Sequence, residues 1–150
     1  MAAQLKDFAT SLVAVVEPET PAVVVAQLMR THHIGALVVV DAADKSRPIG
    51  IVTDRDLVLE LMAEGLDPGV FTAGDIMSVD LVMATPEMNA MDAVQLMQTH
   101  RLRRLVIADD EGRLVGIATM EDVLELLARA LADLAAGLAG ARDREVNERV

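Results

Sequence analysis

The chain repeats itself, and this repeat restricts its possible folds more than any other feature of the sequence. Shifted by 68 positions, the sequence matches itself over a long stretch. Identical pairs at this spacing include Asp7 and Asp75, Pro18 and Pro86, Met29 and Met97, His32 and His100, and Asp41 and Asp109. After a slightly shorter loop, GIVTDRDL at residues 50–57 matches GIATMEDV at residues 116–123. The repeat predicts two copies of one unit of roughly 60 residues.

Each copy predicts the same order of elements. Apolar and β-branched runs predict strands at residues 12–16, 36–40 and 49–52, and again at residues 79–84, 105–108 and 114–118. Apolar residues at helical spacing between the first two strands of each copy predict an amphipathic helix. Second helices are predicted to start near Thr53 and Thr119. The sequence therefore predicts an α/β (α+β) fold built from two β-α-β-β-α units.

These elements suggest domain limits. We expect the first unit at residues 1–66, a linker at residues 67–74 and the second unit at residues 75–130. We expect residues 131–150 to form a C-terminal helix extension with a charged tail. The helix after Asp122 is predicted to run for about 20 residues or more. Its apolar face is wider than one neighbour needs, which favours a homodimer through Leu131, Leu134 and Leu138.

Composition excludes several classes of protein. Aromatic residues make up 1% of the chain and the formal net charge is −11, so we expect no nucleic-acid partner, because such binders use basic and aromatic side chains. The chain has no cysteine, which excludes disulfides and fits the cytoplasm. Mean hydropathy is +0.37. Uninterrupted apolar stretches reach only about eight residues, whereas a membrane-spanning helix needs about 20, so we expect no membrane segment.

The repeated segments at residues 53–56 and 119–122 are the main chemical candidates. A Thr followed three residues later by an acid, just before an apolar helix, is typical of a capping box. The same geometry also suits a nucleotide, because a helix N-terminus attracts phosphate and a carboxylate accepts ribose hydroxyls. The two interpretations are compatible, since Thr53 and Thr119 can cap while Asp56 and Asp122 turn to a ligand.

The duplicated unit resembles a CBS domain, and two in tandem resemble a Bateman module. The resemblance covers residues 7–130 and is carried by IGALVVVD, GIVTDRDL and RRLVIADDEGRLVGIATMEDV. It implies two units packed about a pseudo-twofold axis, with clefts that bind adenosyl ligands. Asp56 and Asp122 would then hold ribose hydroxyls, and Thr53 and Thr119 would lie near the ribose and phosphate. Gly35 and Ala36 are assigned to the same nucleotide-binding set.

Basic residues provide further candidates. Arg103 and Arg104 lie at the start of a predicted strand, where consecutive side chains point to opposite faces. One of them is expected to face the cleft and bind phosphate, the alternative being a solvated ion pair. Arg55 provides the first cleft with a guanidinium whose N–H groups can donate two hydrogen bonds to one phosphate. The paired histidines at the helix ends are expected to interact with the helix dipole, and we expect no metal site.

These observations predict a regulatory module rather than an enzyme, because the sequence shows no nucleophile–base set, Gly-rich phosphate loop or metal set. The expected ligand is an adenine nucleotide (AMP, ADP or ATP), with NAD or S-adenosylmethionine possible. A regulated partner protein, not identified by the sequence, would respond to the bound state. The alternative is a dimerisation or protein-interaction scaffold whose clefts stay empty.

Overall fold

The computed structural model describes residues 3–11 and 13–149, and its elements follow the predicted repeat. The first copy contains α1 (Leu5–Phe8), β1 (Val15–Val16), α2 (Ala22–His32), β2 (Ala36–Val40), β3 (Pro48–Thr53) and α3 (Asp54–Asp56), which continues as a π-helical segment (Leu57–Met62). The second copy contains α4 (Ala73–Ile76), β4 (Met83–Ala84), α5 (Ala90–His100), β5 (Arg104–Ala108), β6 (Leu114–Thr119) and α6 (Met120–Glu148). The mixed α+β class and the β-α-β-β-α order are confirmed.

Each copy builds one three-stranded sheet of the same topology. β1 is parallel to β2, and β2 is antiparallel to β3; β4, β5 and β6 repeat this arrangement. The central strands β2 and β5 are buried along almost their whole length, as their uninterrupted apolar runs predicted. The register places Ala36 opposite Thr53 and Arg104 opposite Thr119. Equivalent residues therefore occupy equivalent places in the two sheets.

The first strand of each sheet is shorter than predicted. Strands were predicted over residues 12–16 and 79–84, whereas β1 and β4 each contain two residues; Leu12 lies outside the described residues. The chain just before β1 and β4 instead pairs with the other unit. Thr10 exchanges backbone hydrogen bonds of 3.1 and 3.0 Å with Ile117, and Ser78 exchanges bonds of 2.9 and 3.1 Å with Ile51. These matched bridges relate the two units by pseudo-twofold symmetry.

The short helices α1 and α4 are exchanged between the units. Leu5 of α1 is buried in the core formed mainly by the second unit, and Ala73 of α4 is buried in the core of the first. A third cluster joins the two sheets through Val38, Val40 and Val106. Each unit thus completes its core with a helix that precedes the other unit's strands, which ties the two together through apolar burial.

Helix α6 extends well beyond the second unit. It begins at Met120 and continues to Glu148, so the helix also includes most of the charged tail predicted after Gly140. Val123 is buried against the second unit, but every residue from 131 to 149 is exposed. Neither α6 nor any other helix within residues 3–11 and 13–149 is long and apolar enough to cross a membrane.

Candidate functional site

The two Thr-x-x-Asp segments fold in the same way. Thr53 Oγ1 accepts a hydrogen bond from the Asp56 N–H at 3.2 Å, and Asp56 Oδ2 accepts one from the Thr53 N–H at 2.8 Å. Thr119 and Asp122 repeat this pair at 3.1 and 2.9 Å. Both segments are therefore capping boxes, as one of the two interpretations predicted. The second carboxylate oxygen, Oδ1, of each Asp accepts no hydrogen bond from the described part of the chain and is available to a ligand.

Strand pairing fixes what lies beside each segment. The Asp54 N–H donates to the Gly35 carbonyl at 2.9 Å, and the Met120 N–H donates to the Arg103 carbonyl at 2.8 Å. Gly35 and Arg103 are therefore equivalent, as are Ala36 and Arg104. The first segment has two small neighbours where the second has two arginines, so the surroundings of the two caps differ in both size and charge.

The two arginines point to different segments. Arg103 Nη2 donates to Glu121 Oε1 at 2.8 Å, within the second segment. Arg104 instead reaches the first segment, where its Nη2 lies 3.3 Å from the point that a Cβ on Gly35 would occupy. Asp54 Oδ2 lies 3.0 Å from the same point. The second unit therefore brings a cation beside Gly35 and Asp54 of the first unit, and the same cation contributes to the lowered pKa of Glu121.

A cavity of about 690 Å³ lies beside β2, one strand away from the first segment, and neither Thr53 nor Asp56 lines it. Ala36, whose backbone pairs with Thr53, forms part of its wall. Other lining residues are Thr10, Ser11, His32, Ile34 and Ile117. The volume lies within the roughly 300–1,000 Å³ of small-molecule pockets, and the mixture of apolar walls with a few polar groups is also typical of them.

Thr10 and Ser11 were not predicted from the sequence as residues of the site, although both line this cavity. One signal pointed to this position, because Ser78 follows Thr10 by the repeat spacing of 68 residues. That signal is weak, since a hydroxyl residue in a connecting segment has many possible roles. Only the bridge between Thr10 and Ile117 places these hydroxyls at the cavity.

The second segment is more acidic and more enclosed by ion pairs. A pocket of about 220 Å³ beside Asp122 is lined by Asp7, Glu125 and Arg129, among others. A hydrogen bond from its own backbone N–H, followed by the Arg103 guanidinium, lowers the pKa of Glu121 from its ordinary value. Glu121 is therefore anionic at neutral pH, and it competes for Arg103 with any phosphate that enters.

Another cavity, of about 470 Å³, lies between α2 and the π-helical segment. The described residues that line it are all apolar or glycine, Val23, Val58 and Met62 among them. Neither Thr53 nor Asp56 lines it, as in the cavity beside β2, but it also lacks the polar side chains that line that cavity. An apolar cavity without polar groups offers nothing to orient a nucleotide, so we assign it no role in the nucleotide site.

The histidines lie where the repeat placed them. His32 and His100 end α2 and α5, in the last turn, where an imidazolium interacts favourably with the helix dipole. Within residues 3–11 and 13–149, no three His, Cys, Asp or Glu side chains form a group that could hold a metal ion.

Curated relatives share much of this sequence. The uncharacterized protein MK0525 of Methanopyrus kandleri is 43% identical over 109 residues, which are 73% of this chain and 55% of that protein. The CBS domain-containing protein YhcV of Bacillus subtilis is 40% identical over 119 residues, covering 79% of this chain and 81% of YhcV. The chain thus spans about half the length of the first relative and most of the second.

Solved structures share the fold. Hypoxic Response Protein I, solved with two coordinated zinc ions, aligns with a TM-score of 0.72 and 32% identity over 82% of this chain and 98% of its own. PAE2072 from Pyrobaculum aerophilum, complexed with AMP, aligns with a TM-score of 0.75 and 21% identity; the alignment covers 85% of this chain and 99% of PAE2072. The CBS domain pair of MJ0100, in complex with 5'-methylthioadenosine and S-adenosyl-L-methionine, aligns with a TM-score of 0.78 and 22% identity over 87% and 99%.

The family comparison agrees with the repeat. The CBS domain model matches twice, at residues 5–63 and at residues 73–129. Each match contains one three-stranded sheet and one Thr-x-x-Asp cap. The chain belongs to the CBS domain family and carries two CBS domains in tandem.

Proposed function

We propose that this protein is a regulatory module that binds an adenine nucleotide in the clefts beside Thr53 and Thr119. Two observations carry the proposal: a cavity of about 690 Å³ whose wall includes Ala36, the strand partner of Thr53, and the neighbouring capped Asp56, whose Oδ1 is not used by the cap. PAE2072 holds AMP, and MJ0100 holds two adenosyl compounds. AMP, ADP and ATP are the first candidates for this chain, with NAD and S-adenosylmethionine as further ones.

The first cleft offers complementary groups for each part of a nucleotide. Asp56 Oδ1 would accept the ribose hydroxyls while Oδ2 keeps the cap. The apolar walls of the cavity suit the base. Arg104, which reaches this segment from the second unit, and Arg55 would meet the phosphates. Gly35 supports the same assignment, because a side chain there would meet both Asp54 and Arg104.

The second cleft would bind the same class of ligand less tightly. Thr119 and Asp122 repeat the cap and leave the same carboxylate oxygen available. The local charge is less favourable to phosphate, because Glu121 occupies the place of Arg55 and already pairs with Arg103. Binding there would require that ion pair to open, which favours a ligand with little negative charge.

Regulation would operate through the arrangement of the two units. Matched bridges and exchanged helices tie the units together, and Arg104 reaches from one unit to the other's cleft. A ligand that prefers one arrangement shifts the population towards it, and a partner protein that contacts both units detects the difference. We propose this role in place of catalysis, and the cysteine-free composition favours the cytoplasm.

A thermal-shift panel with AMP, ADP, ATP, NAD and S-adenosylmethionine tests the proposal. A ligand at 100 times its Kd adds about 2.7 kcal/mol per site, which should raise Tm by roughly 5–10 °C at this chain length. The Asp56→Asn, Asp122→Asn double variant should lose the shift, because the amide can keep the cap but places a donor where the ribose needs an acceptor. Asp110→Asn, in an exposed turn, should keep it. Flat melting curves with every ligand would contradict the proposal.

The second candidate, a ligand-free interaction scaffold, is favoured by one specific observation. Leu131, Leu134 and Leu138 on the projecting part of α6 are 67%, 62% and 57% exposed. A surface of this kind suits association with another chain. Association without any ligand-induced shift in Tm would favour the scaffold over the nucleotide-binding module.

A further inference from the structure

The exposed leucines of α6 form a stripe with alternating spacings of three and four residues. Leu124, Leu127, Leu131, Leu134 and Leu138 are 60%, 44%, 67%, 62% and 57% exposed. We call this set the leucine seam. Apolar residues that repeat every 3.5 residues are the pattern by which helices wind around one another in coiled coils. The seam therefore has the geometry of a helix-pairing surface.

Much of the seam lies where α6 has left the body of the protein. Residues 131–149 are all exposed, so this stretch of about 27 Å packs against nothing in the described part of its own chain. A lone helix of this length is marginal in water, and helices in proteins depend on burying an apolar face. The projecting half of α6 therefore needs a partner helix.

We propose that this partner is α6 of a second copy of the chain, running antiparallel. The seam is self-complementary in that orientation. In one register, Leu131 faces the partner's Leu134, Leu127 faces the partner's Leu138, and Leu124 faces the partner's Ala141. The twofold axis passes between the two central layers, and each of the layers named here joins two apolar residues.

Charges beside the seam favour the antiparallel orientation. In the register above, Glu121, which also pairs with Arg103 of its own chain, lies beside the partner's Arg142 at both ends of the pair, an attraction between opposite charges. A parallel pair would instead bring Arg144 beside the partner's Arg149. It would also place Glu145 against its own copy at a core position, whereas the antiparallel register places Glu145 opposite the partner's Met120. Both contacts in the parallel pair join like charges, so the sequence of α6 selects against it.

The residues that flank the seam are small. Ala128, Ala130, Ala135 and Gly137 occupy the flanking positions. The distance between two packed helices depends on the side chains at the contact, and small flanks let the axes approach closely. A second copy of α6 has the same small flanks and the same leucines, so the two surfaces match in shape as well as in charge. This inference is separate from binding in the first cleft, because the cavity beside Ala36 contains no residue of α6; the pocket beside Asp122 does include α6 residues, among them Glu125 and Arg129.

Disulfide trapping tests both the partner and its direction, and the chain has no cysteine of its own. Leu127→Cys and Leu138→Cys are prepared separately, mixed under reducing conditions and then oxidised. In the antiparallel pair the two positions face each other, so the mixture should yield covalent dimers. Each variant alone should not, because identical positions are about 16 Å apart along the axis, far beyond the roughly 7 Å between Cα atoms that a disulfide tolerates.

Every other outcome overturns the proposal. Cross-linking of either variant alone would show a parallel pair. A mixture without cross-links would place any dimer interface outside the leucine seam. Light scattering on the unmodified chain should give about twice the 16.0 kDa mass, and a single-chain mass at micromolar concentration would also contradict the proposal.

A charge substitution provides a second, independent measurement. Leu131→Asp should weaken association about 100-fold or more, because it would bury unpaired carboxylates at the centre of the seam. Ala136→Asp adds the same charge on the opposite face of the same exposed helix and should leave association unchanged. The body of both variants should keep the thermal transition of its cores, since neither residue is buried. Equal weakening by the two substitutions would show that charge, not the seam, controls association.

Discussion

The backbone oxygen of Thr10 lies 2.8 Å from the point that a Cβ on Gly116 would occupy. The same relationship appears in the other unit, where the Ser78 oxygen lies 3.1 Å from the Cβ position of Gly50. Both glycines begin the repeated segment that ends in Thr-x-x-Asp. They leave room for the chain that crosses from the other unit, and the crossing chain of the first unit also supplies the hydroxyls of the cavity.

Gly116→Ala should therefore destabilise the protein. A real Cβ has almost no freedom at 2.8 Å from a backbone oxygen, so the bridge between Thr10 and Ile117 must shift. Overpacking of this kind costs about 1–3 kcal/mol, which urea unfolding can measure. Gly140→Ala is the matched control, because that glycine lies in exposed helix with nothing within 4 Å. It should be neutral or stabilising, and equal losses from both substitutions would contradict the exchanged arrangement.

The two clefts should bind a phosphorylated ligand unequally. The first segment carries Asp54, Arg55 and Asp56, for a net charge of −1, and the second carries Glu121 and Asp122, for −2. Arg55 attracts a phosphate where the equivalent Glu121 repels it. In a partly solvated cleft this difference is worth about 1–2 kcal/mol of binding free energy, or roughly a 5- to 30-fold difference in Kd.

Calorimetry with ATP on two single variants tests this order. Asp56→Asn should remove the tighter binding event and Asp122→Asn the weaker one. Both variants can keep their capping hydrogen bond, so a change in affinity is not a consequence of unfolding. The opposite assignment of the two events would show that the order of the clefts is wrong. Adenosine, which lacks phosphate, should discriminate much less between the sites.

Arg104 and Arg103 should have separable effects on ligand binding. Arg104 reaches the first segment, so Arg104→Ala should weaken ATP there about 5-fold or more, as expected for one screened cation near phosphate. Arg103→Ala should leave the first site nearly unchanged, because Arg103 pairs with Glu121. Neither change should affect adenosine strongly. Equal losses of ATP affinity in both variants would contradict the division of the two arginines between the clefts.

The repeat was enough to predict most of the fold, because each copy carries its own local signals. The buried run at Ala36–Val40 and the caps at Thr53 and Thr119 are written in a few adjacent residues each. The contacts that one unit makes with the other were not predictable in the same way. The short β1, the exchange of α1 and the direction of Arg104 all depend on residues about 70 or more positions away, and local propensity carries no information about such partners.

The carboxyl that holds the turn between β5 and β6 should resist protonation until the pH falls below the ordinary range of an Asp side chain. A hydrogen bond from the Arg113 backbone N–H has the largest effect and lowers the pKa of Asp109 from its ordinary value of 3.8; burial, the next largest effect, opposes it, and hydrogen bonds from the Arg113 side chain and the Glu111 N–H lower it further. A depressed carboxyl pKa stabilises the folded state above the ordinary value, and this contribution is lost as the pH falls through the folded-state pKa. An NMR titration of the Asp109 carboxyl should therefore give a midpoint below 3.8.

Arg113→Ala should raise that midpoint only part of the way, because the backbone N–H, which has the largest effect, remains. Asp110→Asn should leave it nearly unchanged. A midpoint at or above the ordinary value in the unmodified protein would show that these hydrogen bonds do not hold the turn in solution.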